Sequence, residues 1–137
     1  MKWLLDTNVV SELRKGARCD QNVSRWIDSV PQESLFTSVL VIGELRRGVD
    51  LLARKDPDQA RALSRWLEQV RVGFAGRTLE ITEQVAEEWG RLGVPTLRPV
   101  VDGLLAATAK VHSLVVATRN TSDFGSMGID VHNPFKR

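Results

Sequence analysis

The sequence predicts an α/β domain built on a parallel sheet, and three observations carry that expectation. Short apolar runs alternate with segments whose apolar residues recur at helical spacing. Capping and breaking residues punctuate those segments: Ser38, Asp56-Pro57, Thr82, Gly93, Pro95 and Pro99. The length of 137 residues suits one domain over residues 1–137. A chain of this size buries roughly two thirds of its unfolded surface, so its core needs no disulfide or structural metal.

The elements follow in order. Residues 2–5 form an apolar strand that stops at Asp6, and Asn8 is read as the cap of the next helix. Val23, Trp26, Ile27 and Val30 recur at helical spacing, with Asn22 before them and Pro31 ending the run. Residues 34–37 form a second strand. Ser38 caps a helix reaching about Arg54, with Val41, Leu45, Val49 and Leu52 as its core stripe. Asp56-Pro57 opens another helix, with Leu63, Leu67 and Val70 facing inward and Gly73 and Gly76 breaking the pattern. Residues 79–81 form a strand, and Thr82 caps a helix carrying Val85, Trp89 and Leu92. Pro99 precedes a strongly apolar helix over 100–112. Residues 114–118 are a strand, followed by a loop and a last edge strand around 129–131.

Composition removes several function classes. The single Cys19 forms no internal disulfide, and with only His112 and His132 no structural zinc site is expected. The first apolar run is cut short by Asp6, so no secretory signal forms, and no segment approaches the roughly 18 apolar residues of a membrane helix. A cytoplasmic location is therefore expected. Net charge is only +2, but 14 of the 19 basic residues are arginine. Arginine's planar fork suits phosphate; a GC-rich genome would give the same bias.

Four carboxylates stand where an α/β sheet carries its chemistry: Asp6, Glu44, Asp102 and Asp123. Each has an ordinary alternative. Asp6 can shape a turn, although Asn8 is read as the better cap. Glu44 can pair with Arg47 on the helix surface, yet it lies off the polar face of Arg46, Arg47, Asp50 and Arg54 and beside the notch left by Gly48. Asp102 can answer the dipole of its helix, but it stands in an otherwise apolar run. Asp123 follows a strand in a turn-rich segment, where Asn120 is an alternative oxygen donor. Together they meet one requirement. Hard divalent cations want oxygen ligands, and clustered carboxylates repel without a cation. Asp6, Glu44 and Asp102 are therefore expected to converge within metal-binding reach at a strand edge. No serine–histidine–aspartate set or glycine-rich phosphate loop is present.

These residues carry a pattern. Leu4-Leu5-Asp6-Thr7-Asn8-Val9-Val10-Ser11-Glu12 resembles the opening motif of PIN domains. Residues 38–48, ending Gly43-Glu44-Leu45-Arg46-Arg47-Gly48, resemble the second motif, residues 100–109 the third, and Thr118-Arg119-Asn120-Thr121-Ser122-Asp123-Phe124 the fourth. Their order and spacing agree as far as the Asn133-Pro134-Phe135 tail. Within the family the chain is most similar to VapC toxins, in their FitB-like branch.

The resemblance implies an α/β/α sandwich with a mostly parallel central sheet. It implies a Mg²⁺- or Mn²⁺-dependent endoribonuclease leaving 5′-phosphate and 3′-hydroxyl ends. Asp6, Glu44 and Asp102 are then the metal-binding core, with Asp123 chosen over the neutral Asn120 as fourth acid. Thr7 and Asn8 support Asp6, with Thr118 and Asn120 also behind the ligands. Arg14, Arg46, Arg47 and Arg119 are candidates to hold the RNA backbone. The resemblance also implies a homodimer and a cognate, DNA-binding, VapB-like antitoxin. A basic residue of its tail would enter the acidic site, and its apolar residues would lie along the helices at about 9–15 and 39–54. Two rivals are weaker. An aspartyl-phosphate phosphohydrolase needs an acid where Asn8 stands. A silent RNA-binding scaffold would have no use for Asp6, Glu44 and Asp102 together.

Overall fold

The computed structural model describes all residues, 1–137. Its centre is a five-stranded sheet in the order β3-β2-β1-β4-β5, parallel throughout. The strands are β1 (Trp3–Leu5), β2 (Leu35–Ser38), β3 (Thr78–Leu79), β4 (Val115–Ala117) and β5 (Val131–His132). The helices are α1 (Thr7–Leu13), α2 (Gln21–Ser29), α3 (Val39–Ala53), α4 (Pro57–Gly73), α5 (Glu83–Leu92), α6 (Val100–His112) and α7 (Thr121–Gly125). One set, α1 to α4, packs together, α3 against α4 most extensively; α5 and α6 pair separately, with α7 against α6.

The strands are short and covered on both faces. Leu4, Leu5, Val116 and Ala117 are almost fully buried, as parallel strands between helical layers must be. Val9, Val10, Val41, Val49 and Leu67 close the core from one side, and Leu105, Ala106, Ala109 and Phe124 join the same cluster. The chain leaves β1 toward β2 on one side, and β4 takes up the other side. The C-terminal ends of β1 and β4 thus flank a topological switch point, where open α/β sheets form crevices.

Most caps agree with the sequence reading. Ser38, Asp56 and Thr82 accept backbone N–H bonds at the starts of α3, α4 and α5, and α6 spans the expected residues. Three expectations need correction. The cap of α1 is Asp6, not Asn8, because the helix starts directly after the strand and leaves Asn8 inside its first turn. The cap of α2 is Asp20, whose carboxylate accepts from the Asn22 and Val23 amides. The loop after β4 contains α7. A helix this short has no stability of its own and no readable period; complete burial of Phe124, worth roughly 1.5–3 kcal/mol, holds it down.

At the other side of the sheet, the His132 ring packs against Trp3 and Trp26 at 5.3 and 5.2 Å between centroids. Its Nε2 is buried without a partner, and burial holds the imidazole below the ordinary histidine range. The fold therefore favours neutral His132. Its contribution is complete above the ordinary pKa of 6.5 and is lost as pH falls through the lowered folded value. Between pH 7 and pH 5 the melting temperature should drop more for the wild type than for His132→Phe. Parallel melting curves for the two would show that His132 does not set this acid sensitivity.

Candidate active site

The site grows from the end of β1. Asp6 is the only residue between strand and helix, in extended conformation and 7% exposed. Its two oxygens have different tasks. Oδ1 accepts the Thr7 amide at 2.8 Å and caps α1; Oδ2 accepts the Thr118 hydroxyl at 2.8 Å and, more loosely, the Asn8 side chain at 3.4 Å. The capping role and a site role therefore coexist on one carboxylate.

Asn8, freed from capping, ties two loops together. Its Nδ2 reaches Thr118 Oγ1 at 3.2 Å, and its Oδ1 accepts the Arg119 amide at 3.1 Å. Thr118 Oγ1 also accepts the Asn120 amide at 3.0 Å. The Asn120 side chain makes no capping bond to α7. Thr7 differs from expectation: its hydroxyl donates to Glu44 Oε1 at 2.6 Å, so its side chain holds Glu44 and only its amide serves Asp6. Glu44 projects from α3 and lies 3.8 Å from Arg47. Gly48 is exposed, and a Cβ there would meet nothing within 4 Å, so the fold itself does not require glycine at that notch.

Asp102 comes from the first turn of α6, whose N-terminus has no side-chain cap. Burial, then the charges of Asp6, Asp123 and Glu44, hold its carboxyl above the usual range, and no hydrogen bond opposes them. Burial likewise raises Asp6, against the Thr118 and Thr7 hydrogen bonds, with Glu44 and Asp123 adding to the rise. All four acids are thus within electrostatic reach at the switch point, although they span residues 6 to 123. No three of them form a ready-made metal cage. They share a field rather than a coordination sphere. An all-oxygen donor set, mutual repulsion and an Asp102 carboxylate without a hydrogen-bond donor fit a hard divalent cation that retains waters.

The arginines divide. Arg119 stacks on Phe135, its guanidinium carbon 3.8 Å from the ring centroid, beside Asn8 and Thr118. Arg47 is mostly exposed beside Glu44. Arg46 donates to Ser64 on α4. Arg14 stands at the far end of α1 from Asp6, where it lines a cleft of about 760 Å³ with Lys15, Arg18, Leu52, Leu63 and Trp66. Glu12, last in the first motif, also serves that end: it accepts the Asp20 amide and Lys15 and is held below its usual range by them. Sequence reasoning missed the Arg119–Phe135 stack. The tail motif was its only signal.

The family model of the PIN domain matches residues 3–128. The chain belongs to the PIN-domain family. It is 38% identical to Toxin FitB of Neisseria gonorrhoeae over 138 residues, covering 96% of this chain and 97% of the relative. It is 37% identical to VapC ribonuclease Y4jK of Sinorhizobium fredii over 140 residues, 97% of each chain. Among solved structures it is similar to FitAB bound to the IR36 DNA fragment, with a TM-score of 0.87, 35% identity, and coverage of 98% of this chain and 96% of that one. PIN-domain ribonucleases are generally dependent on divalent metals.

In this PIN domain the raised acids make a stability forecast. A carboxyl with a raised folded pKa stabilises below its unfolded pKa, and that contribution is lost as pH rises through the folded value. Without divalent cations at pH 7, Asp102→Asn should therefore melt higher than wild type, and Asp6→Asn, which can still cap, should melt no lower. Asp6→Ala should lose about 1 kcal/mol with the cap. Calorimetric melts in chelator check all three; destabilisation by Asp102→Asn would mean that its charge supports the fold.

Proposed function

We propose that this PIN domain is a toxic endoribonuclease, dependent on Mg²⁺ or Mn²⁺, that hydrolyses RNA phosphodiester bonds and is restrained by a cognate VapB-like antitoxin. The observation that carries this reading is the field shared by Asp6, Glu44, Asp102 and Asp123 at the switch point of the sheet. The names of the relatives, a toxin and a ribonuclease, support it.

In this reading the four acids hold the metal, and Thr7, Asn8, Thr118 and Asn120 keep them in place. When bound, a divalent cation supplies Lewis acidity at the scissile phosphate and offsets the repulsion among the acids. Asp6 keeps Oδ1 on its cap and Oδ2 on Thr118, so it would serve the cation with the acceptor capacity those bonds leave free. Asp102 has no hydrogen-bond donor, so both its oxygens would be free to hold the cation. Arg47 can leave its long contact with Glu44 for an RNA phosphate, because an exposed pair of that kind is worth less than about 1 kcal/mol. Arg119, braced by Phe135, is the second phosphate contact. Arg46 and Arg14 serve the outer backbone at most, and Arg14 lies nearer the partner groove.

The same negative field attracts a cationic side chain from the antitoxin's tail, with arginine best suited to pair bidentately. The tail's apolar residues lie along α1 and α3 toward the cleft floored by Leu52, Leu63 and Trp66. The solved structure of FitAB bound to a DNA fragment supports a DNA-binding complex with the antitoxin, and a toxin homodimer within that complex is part of the same reading. One domain, 1–137, carries the activity in the cytoplasm. No helix is long and apolar enough to cross a membrane.

Purified protein should cut single-stranded RNA with Mn²⁺, leave 5′-phosphate and 3′-hydroxyl ends, and stop in EDTA. Asp102→Asn should lower kcat/KM at least about a hundredfold, since losing even an outer partner of a metal ligand costs 10–100-fold. Cleavage that persists in EDTA, or in Asp102→Asn, rejects this mechanism. Folded protein that binds RNA without ever cutting it points to a silent scaffold.

A further inference from the structure

Asp123 is exposed on a five-residue helix, so whether it reaches the acidic site depends on what holds α7. Phe124 fixes one side by burial. The other side is held by Arg98, from the connection between α5 and α6. The stem of Arg98 lies over Gly103, the residue after Asp102: a Cβ built on Gly103 would stand 3.8 Å from the Arg98 Cβ. Its head closes the end of α7. Nη1 donates to Ser126 Oγ at 3.1 Å and Nη2 to the Ser126 carbonyl at 3.4 Å. Ser126 Oγ donates onward to the Asp123 carbonyl at 3.0 Å. Arg98 Nε is buried with no partner.

One side chain therefore spans from the residue beside Asp102 to the turn that ends the helix of Asp123. Trp89 packs on the same spot, its ring 3.0 Å from where a Gly103 Cβ would lie, so the start of the Arg98 side chain and the Trp89 ring both border Gly103. The planar fork meets two acceptors on one residue, which fixes direction as well as distance.

We propose that Arg98 is a positioning residue: by bracing Ser126 against Gly103 it sets the separation of α6 and α7, and with it the reach of Asp123 to the metal-binding acids. The proposal rests on the reading of Asp123 as the fourth ligand. Its prediction is specific. Arg98 acts only through Asp123, so removing Arg98 should matter only while Asp123 is present.

The experiment is calorimetric titration of Mn²⁺ alone into wild type, R98A, D123N and the double variant, with thermal melts in EDTA as a fold control. R98A should weaken Mn²⁺ binding roughly tenfold. D123N should weaken it at least as much, and R98A should add nothing in the D123N background. Should R98A fail to fold, S126A, which removes only the relay hydroxyl, should weaken binding in the same direction by less. If D123N weakens binding while R98A, or S126A in its place, does not, the brace is wrong. Additive losses in the double variant also overturn it, because Arg98 would then act by another route. If D123N binds like wild type, the assignment of Asp123 fails and the brace falls with it.

Discussion

The bond between the Thr118 hydroxyl and Asp6 Oδ2 joins residues 112 apart in sequence and closes the sheet at its switch point. Around it the Asp6 amide bonds to the Ala117 carbonyl, extending the β1–β4 ladder by one residue, and Asn8 crosses between the same two loops. Everything in the site depends on this closure. It puts the start of α1 beside the start of α7, and α1 in turn presents Thr7 to Glu44. A buried carboxylate is costly, and three donors offset part of that cost without neutralising it. What remains is a poised charge held by short, mostly local bonds.

The layout of the acids shows how an unfavourable cluster is tolerated. Asp6 has donors, Glu44 has Thr7 and a distant Arg47, and Asp123 faces solvent. Asp102, partly buried, has neither a donor nor a counter-charge, and its helix N-terminus supplies only the partial positive charge of free amides. Four of the fourteen arginines pair with acids about one turn away on their own helices, as Arg71 does with Glu68 and Arg91 with Glu88, and of these four Arg47 alone touches the ring, through its long contact with Glu44. The mild net positive charge is thus spread over the surface, and a negative field survives at the sheet edge.

Much of this was legible in the sequence. Ser38, Asp56, Thr82 and Pro99 announced four helix starts because a cap is a local matter, decided within a few residues. The choice between Asp6 and Asn8 was not local. It depended on β1 passing into α1 through Asp6 alone, and both side chains have the chemistry of a cap. Thr7 was misjudged for a related reason, since its nearest carboxylate in sequence is Asp6 and its nearest in space is Glu44. Four acids could be chosen from seventeen by their places at strand ends and on the helices beside them, and by the motifs in which they stand. Their meeting at one edge was expected from the motifs; how each is held there was not, because the contacts follow from the strand order. Arg98, in a loop with no motif, gave no signal at all.

Both outer strands, β3 and β5, are only two residues long. Such edges offer another chain almost no free backbone to pair with, which guards the sheet against edge-to-edge aggregation. The same economy restricts how any protein can recognise this one. A partner cannot add a strand and gain affinity from main-chain bonds, the route by which many extended peptides bind. It must read side chains in the crevice or on the helices. Recognition is therefore specific to residue identity, and small changes in a few contact positions are enough to separate one cognate pair from another.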